Sequence, residues 1–227
     1  MKNKRALIIG ASGLVGSHLL NLLLADESYQ QVTVLVRRPL PVNHSRCRVV
    51  TIDFDNKSTW LDYAKADDVF CCLGTTMKQA RTKEKFFKVD FEYTLAIARQ
   101  AVETGATRCF LVSALGADAS SSIFYNRVKG EIENALSKLP FKALHIFRPS
   151  LLLGNRQDNR PMEAIATKLS GIFSGLMMGP LRPYRPIQAS HVALAMQRAA
   201  GTDDGQGTIV HSSMEMENEI VQQRPIS

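Results

Sequence analysis

The chain has 227 residues and a net charge of +7, from 28 basic and 21 acidic side chains. It is 45% hydrophobic and 22% charged, a globular composition with ample material for the core of one large domain. No apolar run reaches the roughly 18 residues that a membrane span needs, and the basic residues form no tract interleaved with aromatics, which argues against nucleic acid and for a basic surface serving a small anionic ligand.

The opening MKNKRALIIG is basic and then apolar. Its apolar part is far shorter than the roughly 7–15 residues of a signal-peptide core, so a cytoplasmic protein is expected. Cys47, Cys71, Cys72 and Cys109 show no metal-ligand spacing. Reduced thiols and no metal site are expected.

Aliphatic and β-branched runs alternate with helical patterns along the chain. Arg5–Ile9 reads as a strand and Leu14–Ala25 as a helix. Val32–Val36, Val49–Ile52 and Val69–Leu73 read as strands. Lys83–Glu103 reads as one long helix, with Phe87, Phe91, Leu95, Ala98 and Val102 at spacings of three or four. Arg108–Ser113 is a strand, Ser122–Leu139 a helix with Ser120, Ser121 and Ser122 as capping options, and Ala143–Phe147 a strand. Pro161–Leu176 carries apolar residues on one helical face. Ser190 is placed to cap a helix over Ser190–Ala200, Thr208–His211 is a late strand, and the tail after Ser213 reads as frayed. Such alternation implies an α/β fold, a doubly wound parallel sheet with helices on both faces. Nothing marks a domain boundary. Residues about 150–213 read as a small substrate-side region on a single domain spanning 1–227.

The first strand runs into Gly10-Ala11-Ser12-Gly13-Leu14-Val15-Gly16, and a helix follows at once. Glycines allow a tight turn and close backbone approach, and a helix N-terminus offers free N–H groups to a pyrophosphate. Gly10, Ser12, Gly13, Leu14, Val15 and Gly16 are therefore candidate dinucleotide contacts. The second strand ends in Arg37-Arg38, where NAD-preferring folds place an acid for the ribose 2′-OH. Two guanidinium forks suit a 2′-phosphate instead, so NADP(H) is favoured over NAD(H). The alternative is a pair of solvated arginines. Asp53 can accept from an adenine amino group or simply form a turn, and Phe54 can pack near the ring. Cys72-Leu73-Gly74-Thr75 ends the fourth strand, where a glycine lets backbone pass close to a ribose.

Tyr125 and Lys129 are four apart in FYNRVKGE, so on a helix they share a face. Ser113 ends the fifth strand upstream of them. Ser, Tyr and Lys converging on the carboxyl edge of a dinucleotide-binding sheet resemble the short-chain dehydrogenase/reductase superfamily. VDFEYT (89–94) resembles a helix motif with Asp90 where Asn is usual, which puts an amide-backed proton relay in question. FRPSLLLG (147–154) resembles the Arg-Pro segment whose backbone meets the nicotinamide. FCCLGTT, FYNRVKGE, FRPSLLLGNRQDNRP and the double arginine are similar to the Tat-interacting-protein family of atypical short-chain dehydrogenases and its bacterial relatives, over about residues 5–200. The resemblance implies a Rossmann fold and NADPH binding. It also implies cofactor contacts from Tyr125, Lys129, Arg148, Pro149, Ser150 and Leu151.

In that reading Tyr125 exchanges a proton with a carbonyl or alcohol substrate. Lys129 tunes Tyr125 and holds the nicotinamide ribose. Ser113 hydrogen-bonds the carbonyl oxygen, or serves as a cap or cofactor contact. An NADP(H)-dependent oxidoreductase leads. An NADPH sensor with little turnover is the first rival, and a nucleotide-sugar epimerase or dehydratase the second. His18 and His145 read as structural. A homodimer or a protein partner is left open.

Overall fold

Ala6-Leu7-Ile8-Ile9 is apolar at four successive positions, and all four are buried. A strand covered on both faces belongs in a parallel sheet between helical layers. The computed structural model, which describes residues 3–154, 184–202 and 205–221, has that sheet. Its strands are β1 (Lys4–Ile9), β2 (Tyr29–Val36), β3 (Cys47–Thr51), β4 (Asp68–Cys71), β5 (Arg108–Val112) and β6 (Ala143–Arg148). Two short strands, β7 (Leu152–Leu153) and β8 (Ile187–Gln188), pair separately, and β9 (Gly207–Ser212) returns to the main sheet. The order is β3-β2-β1-β4-β5-β6-β9, seven strands, parallel throughout. The order reverses between β1 and β4, and a ligand crevice lies beyond the carboxyl ends of the strands at such a switch point.

Helix α1 (Leu14–Ala25) covers one face with Leu19, Leu20, Leu23 and Leu24. It packs on a second helix of that layer, Ala189–Gly201, and the two share a core with Phe70, Phe110 and Phe147. The other face is covered from a helical path that begins with α2 (Met77–Ala80) and α3 (Lys83–Phe87). A π turn over Lys88–Tyr93 then leads into α4 (Thr94–Glu103), and α5 (Phe124–Leu136) lies beside it. With α6 as the label for Ala189–Gly201 and α7 for Ser213–Val221, the α-helices are complete among the described residues, and two single-turn 3-10 helices, Lys57–Thr59 and Leu61–Tyr63, follow β3. No helix there is long and apolar enough to cross a membrane.

Several elements differ from the sequence expectation. The helix expected over Lys83–Glu103 is interrupted by the π turn, which widens the helix where Asp90 turns inward. The serines do not cap α5. Its N-cap is Ile123, Ser120 bonds Asp118, and Ser121 accepts from the Ile123 N–H. Ser190 does not cap α6, which starts one residue earlier after Gln188. The tail is not frayed throughout: α7 buries Met216 completely, and burial of one large apolar side chain holds the helix down. The region after residue 150 joins the main body where it is described, since α6 packs on α1 and β9 pairs with β6. The helix expected over Pro161–Leu176 lies outside the described residues.

The amino edge of the sheet is held by a buried ion pair. Arg108 donates to Asp68 from Nε at 2.7 Å and Nη2 at 2.6 Å, and Tyr29 donates its hydroxyl to the same carboxylate at 2.5 Å. This is why β2 starts at Tyr29, three residues ahead of its apolar run. Burial and the Asp68 charge push the Tyr29 phenol far above its usual range. Arg108 also donates to the carbonyls of Ala200 and Thr202 at 2.9 Å, tying α6 to the sheet. His145 and His211 meet at 3.0 Å across β6 and β9, and burial together with His211 and Arg108 holds His145 down to about 4. Removing one partner of a buried pair strands the other charge. Asp68→Ala should therefore cost about 3–5 kcal/mol in urea denaturation. Asp67→Ala, which breaks the half-exposed Arg5 pair, should cost under about 1 kcal/mol.

Candidate active site

The glycine loop is built by backbone packed on backbone. Gly10 has φ +86°, and a Cβ there would lie 2.4 Å from the Cys72 carbonyl carbon and oxygen. A Cβ on Gly16 would lie 2.3 Å from the Gly10 carbonyl oxygen. The Gly13 N–H donates to that oxygen at 2.9 Å and closes the turn. Gly13 is the N-cap of α1 and brings no side-chain cap, so the first-turn N–H groups of Leu14, Val15 and Gly16 have no partner within the helix. No acid stands in that turn to repel an anion. Ser12 is exposed at the loop's tip.

Arg37 and Arg38 follow β2 directly, both exposed, and no ion pair is recorded for either among the described residues. Asp53 forms a turn, its Oδ1 accepting from the Asp55 N–H at 3.0 Å. Phe54 is buried and stacks on Tyr93, centroids 5.0 Å apart, so one face of its ring is committed to the protein.

Ser113, Tyr125 and Lys129 lie where the crevice requires, on the residue after β5 and the first two turns of α5. Tyr125 is 37% exposed, its ring edge-on to Phe86 with centroids 5.7 Å apart. Lys129 is only 4% exposed, and its Nζ lies 2.8 Å from Asp90 Oδ1. At that distance the ammonium and the carboxylate form a buried, charge-assisted pair. Burial alone would lower the Lys129 ammonium; Asp90, Tyr125 and Glu133 outweigh it and the net direction is upward. The other Asp90 oxygen accepts from the Thr75 N–H at 2.9 Å, pinning the loop after β4. At Gly74 a Cβ would stand 3.8 Å from Asp90 Oδ1 and 4.0 Å from Lys129 Nζ, so the loop after β4 runs directly against the buried pair.

Sequence reasoning missed Glu133. It is buried, accepts the Ser113 hydroxyl proton, and is held by Arg148 through Nε at 3.0 Å and Nη2 at 2.5 Å. The signal was present: Tyr125, Lys129 and Glu133 continue a four-residue spacing along one face of α5. The Arg148 guanidinium thus points into the protein. The Pro149 carbonyl accepts from the Leu115 N–H at 2.8 Å, and the Ser150 N–H donates to Ser213 Oγ at 2.6 Å. The Leu151 side chain is exposed while its carbonyl accepts from Ile187. Gly130 was missed too. Its absent Cβ admits the Asp118–Ala119 backbone against α5, with Ala119 N 2.1 Å from where that Cβ would be.

Two observations fit a dinucleotide: the side-chain-free cradle at Gly10 and Gly16, and the uncapped first turn of α1. The family model described as NAD(P)H-binding matches residues 10–145. Protein HTATIP2 of Rattus norvegicus is 39% identical over 175 residues, covering 75% of this chain and 72% of that protein. The chain belongs to this family, as an atypical short-chain dehydrogenase/reductase. Protein FMP52 of Candida albicans, 34% identical over 191 residues and 82% of each chain, is another relative. Among solved structures, MoeE5 in complex with UDP-glucose and NAD superposes with a TM-score of 0.66 at 19% identity, covering 97% of this chain and 83% of that one, a likeness of Rossmann fold. The expectation of a cytoplasmic protein does not stand, because the FMP52 relative is named mitochondrial. Organelle addresses are read from other features, which the fold does not encode.

The loop geometry predicts an order of sensitivity. Gly10→Ala meets both a backbone clash and a left-handed φ, and should lose more than about 2 kcal/mol of stability together with dinucleotide binding. Gly13→Ala, whose Cβ would stand 3.1 Å from the Gly10 oxygen and 3.9 Å from that of Cys72, should be milder in the same denaturation and titration.

Proposed function

We propose that the protein is an NADP(H)-dependent oxidoreductase acting on a carbonyl or alcohol, with residues about 150–213 contributing to the substrate side. The observation that carries this reading is the placement of Tyr125, exposed, one helical turn from the buried Lys129 at the carboxyl edge of the sheet. The glycine loop would hold the pyrophosphate, Arg37 and Arg38 a 2′-phosphate, and Gly74 with Lys129 the nicotinamide ribose. Bound nicotinamide supplies or accepts the hydride. Tyr125 gives its phenolic proton to the carbonyl oxygen, or takes one from the alcohol in reverse. Ser113 donates its hydroxyl hydrogen bond to Glu133, so its oxygen is left to accept from a substrate hydroxyl. Phe86 packs edge-on against Tyr125, and Ile123, two residues before it, is exposed, which supports an apolar border on that side.

A second reading, a cofactor-binding regulator with little turnover, draws on the same Ser113. Its hydroxyl is not poised to donate to a carbonyl, and the residues that remain also grip cofactor.

The cofactor preference is tested by titration. NADPH should bind at least tenfold tighter than NADH, about 1.4 kcal/mol, and Arg37→Ala/Arg38→Ala should remove most of that gap. Equal affinities in the parent would end the NADP assignment. Enzyme and regulator are separated by a carbonyl panel followed at the NADPH absorbance. Tyr125→Phe should slow turnover by roughly 10²-fold or more while NADPH still binds. A substrate that the Phe variant reduces at the parent rate would remove Tyr125 from the chemistry.

A further inference from the structure

Lys88 and Tyr93 are the first and last residues of the π turn. In an α-helix, residues five apart point about 140° away from each other. A π turn closes i→i+5 bonds, so residues five apart come to one side. Here both reach a single carboxylate. Lys88 Nζ lies 2.7 Å from Asp55 Oδ1, and the Tyr93 hydroxyl donates to the same oxygen at 2.9 Å. Asp55 belongs to the loop after β3. The contact therefore joins that loop to the turn whose inner residue, Asp90, holds Lys129 and the Thr75 N–H.

Asp53, Phe54 and Asp55 are each fixed in that loop. The Asp53 N–H donates to Thr59 Oγ1 at 3.1 Å, and its carbonyl accepts from the same hydroxyl at 2.9 Å. Phe54 stacks on Tyr93. The Asp55 N–H donates to Asp53 Oδ1, so whatever sets Asp55 also sets the Asp53 carboxylate. Asp53 is exposed, and among the described residues no hydrogen bond uses its other oxygen. That oxygen has lone pairs left to accept from an amino group. Fold stability does not account for the cluster at Asp55. The Asp55 and Lys88 side chains are 53% and 43% exposed, and ion pairs this open to solvent contribute little. Two donors converging on one exposed carboxylate order a loop more than they strengthen a fold.

We propose that Asp55, Lys88 and Tyr93 are positioning residues that hold the loop after β3 so that Asp53 accepts a hydrogen bond from the adenine amino group of the dinucleotide. The π turn then serves both halves of the crevice, its middle the side of Lys129 and its two ends the adenine side. The proposal rests on the dinucleotide-binding reading above, and is independent of the choice between enzyme and regulator and of the 2′-phosphate assignment.

The test is a fluorescence titration with NADH, NADPH and their deamino analogues, in which hypoxanthine replaces adenine and an oxygen stands where the amino group was. The parent should bind each adenine dinucleotide roughly tenfold tighter than its deamino analogue, the order expected for a hydrogen bond to a charged acceptor. Asp55→Ala should lose most of that ratio. Lys88→Met and Tyr93→Phe, the latter removing only a hydroxyl, should each lose part. Asp53→Ala should abolish the ratio, and adding Asp55→Ala to it should change it no further, because the two act through one contact. A merely structural role would weaken both members of a pair alike and leave the ratio in place. A folded Asp55→Ala that keeps the parent's ratio overturns the proposal, and so does a parent that binds dinucleotides without discriminating. If Asp55→Ala melts early, the ratio in Tyr93→Phe decides in the same way. A parent that binds none of the four would end the dinucleotide reading and the proposal with it, an outcome distinct from a lost or unchanged ratio.

Discussion

The site depends on one contact, the backbone of Gly10 laid against the backbone of Cys72 and Leu73. It joins the ends of β1 and β4, the two strands between which the sheet order reverses. Every other element of the crevice is referred to that seam. The turn that starts α1 closes over it, through the Gly13 N–H and the missing Cβ of Gly16. The chain leaving β4 passes beside it and reaches Asp90 through the Thr75 N–H. A side chain at Gly10 would push apart the two strand ends that must sit together, so the motif's first glycine is a requirement of packing before it is one of ligand binding.

From the seam outward, positions are set by charge. Helix α5 presents Tyr125, Lys129 and Glu133 along one face, and the two charged members are matched from different directions. Asp90 reaches Lys129 from the π turn, and Arg148 reaches Glu133 from β6. Buried pairs of this kind gain little net stability, because desolvation offsets the attraction. What they provide here is registration: α5 cannot rotate or slide without stranding a charge. Ser113 is drawn into the same network through Glu133, and its hydrogen-bond direction follows from that.

The two edges of the sheet divide the work. At the amino edge, Arg108, Asp68 and Tyr29 form a saturated network that also holds α6. At the carboxyl edge, Tyr125 is exposed and the first turn of α1 has free donors. Buried polar groups satisfied on one side and left open on the other are the expected contrast between a structural network and a ligand site.

The sequence by itself determined the α/β alternation, the strands and helices of the first six strand units, and the glycine loop between strand and helix. Those features are local: apolar runs, helical spacing and turn glycines act over a few residues. It also determined that Ser113, Tyr125 and Lys129 share the carboxyl edge, since strand ends and a four-residue spacing are enough for that. Tertiary structure decided what those residues touch. The pairing of Asp90 on the π turn, the clamp of Arg148 on Glu133 and the burial of Phe54 come from partners 15 or more residues away or from a buried environment, whereas Asp53 took the local turn role that the sequence also allowed. Near α5, Ser120 and Ser121 are taken up by bonds to Asp118 and the Ile123 N–H and do not cap the helix, while the tail is held by the burial of Met216. Local pattern specifies which side chains arrive at the edge; only the long-range contacts specify which charge each of them finally faces.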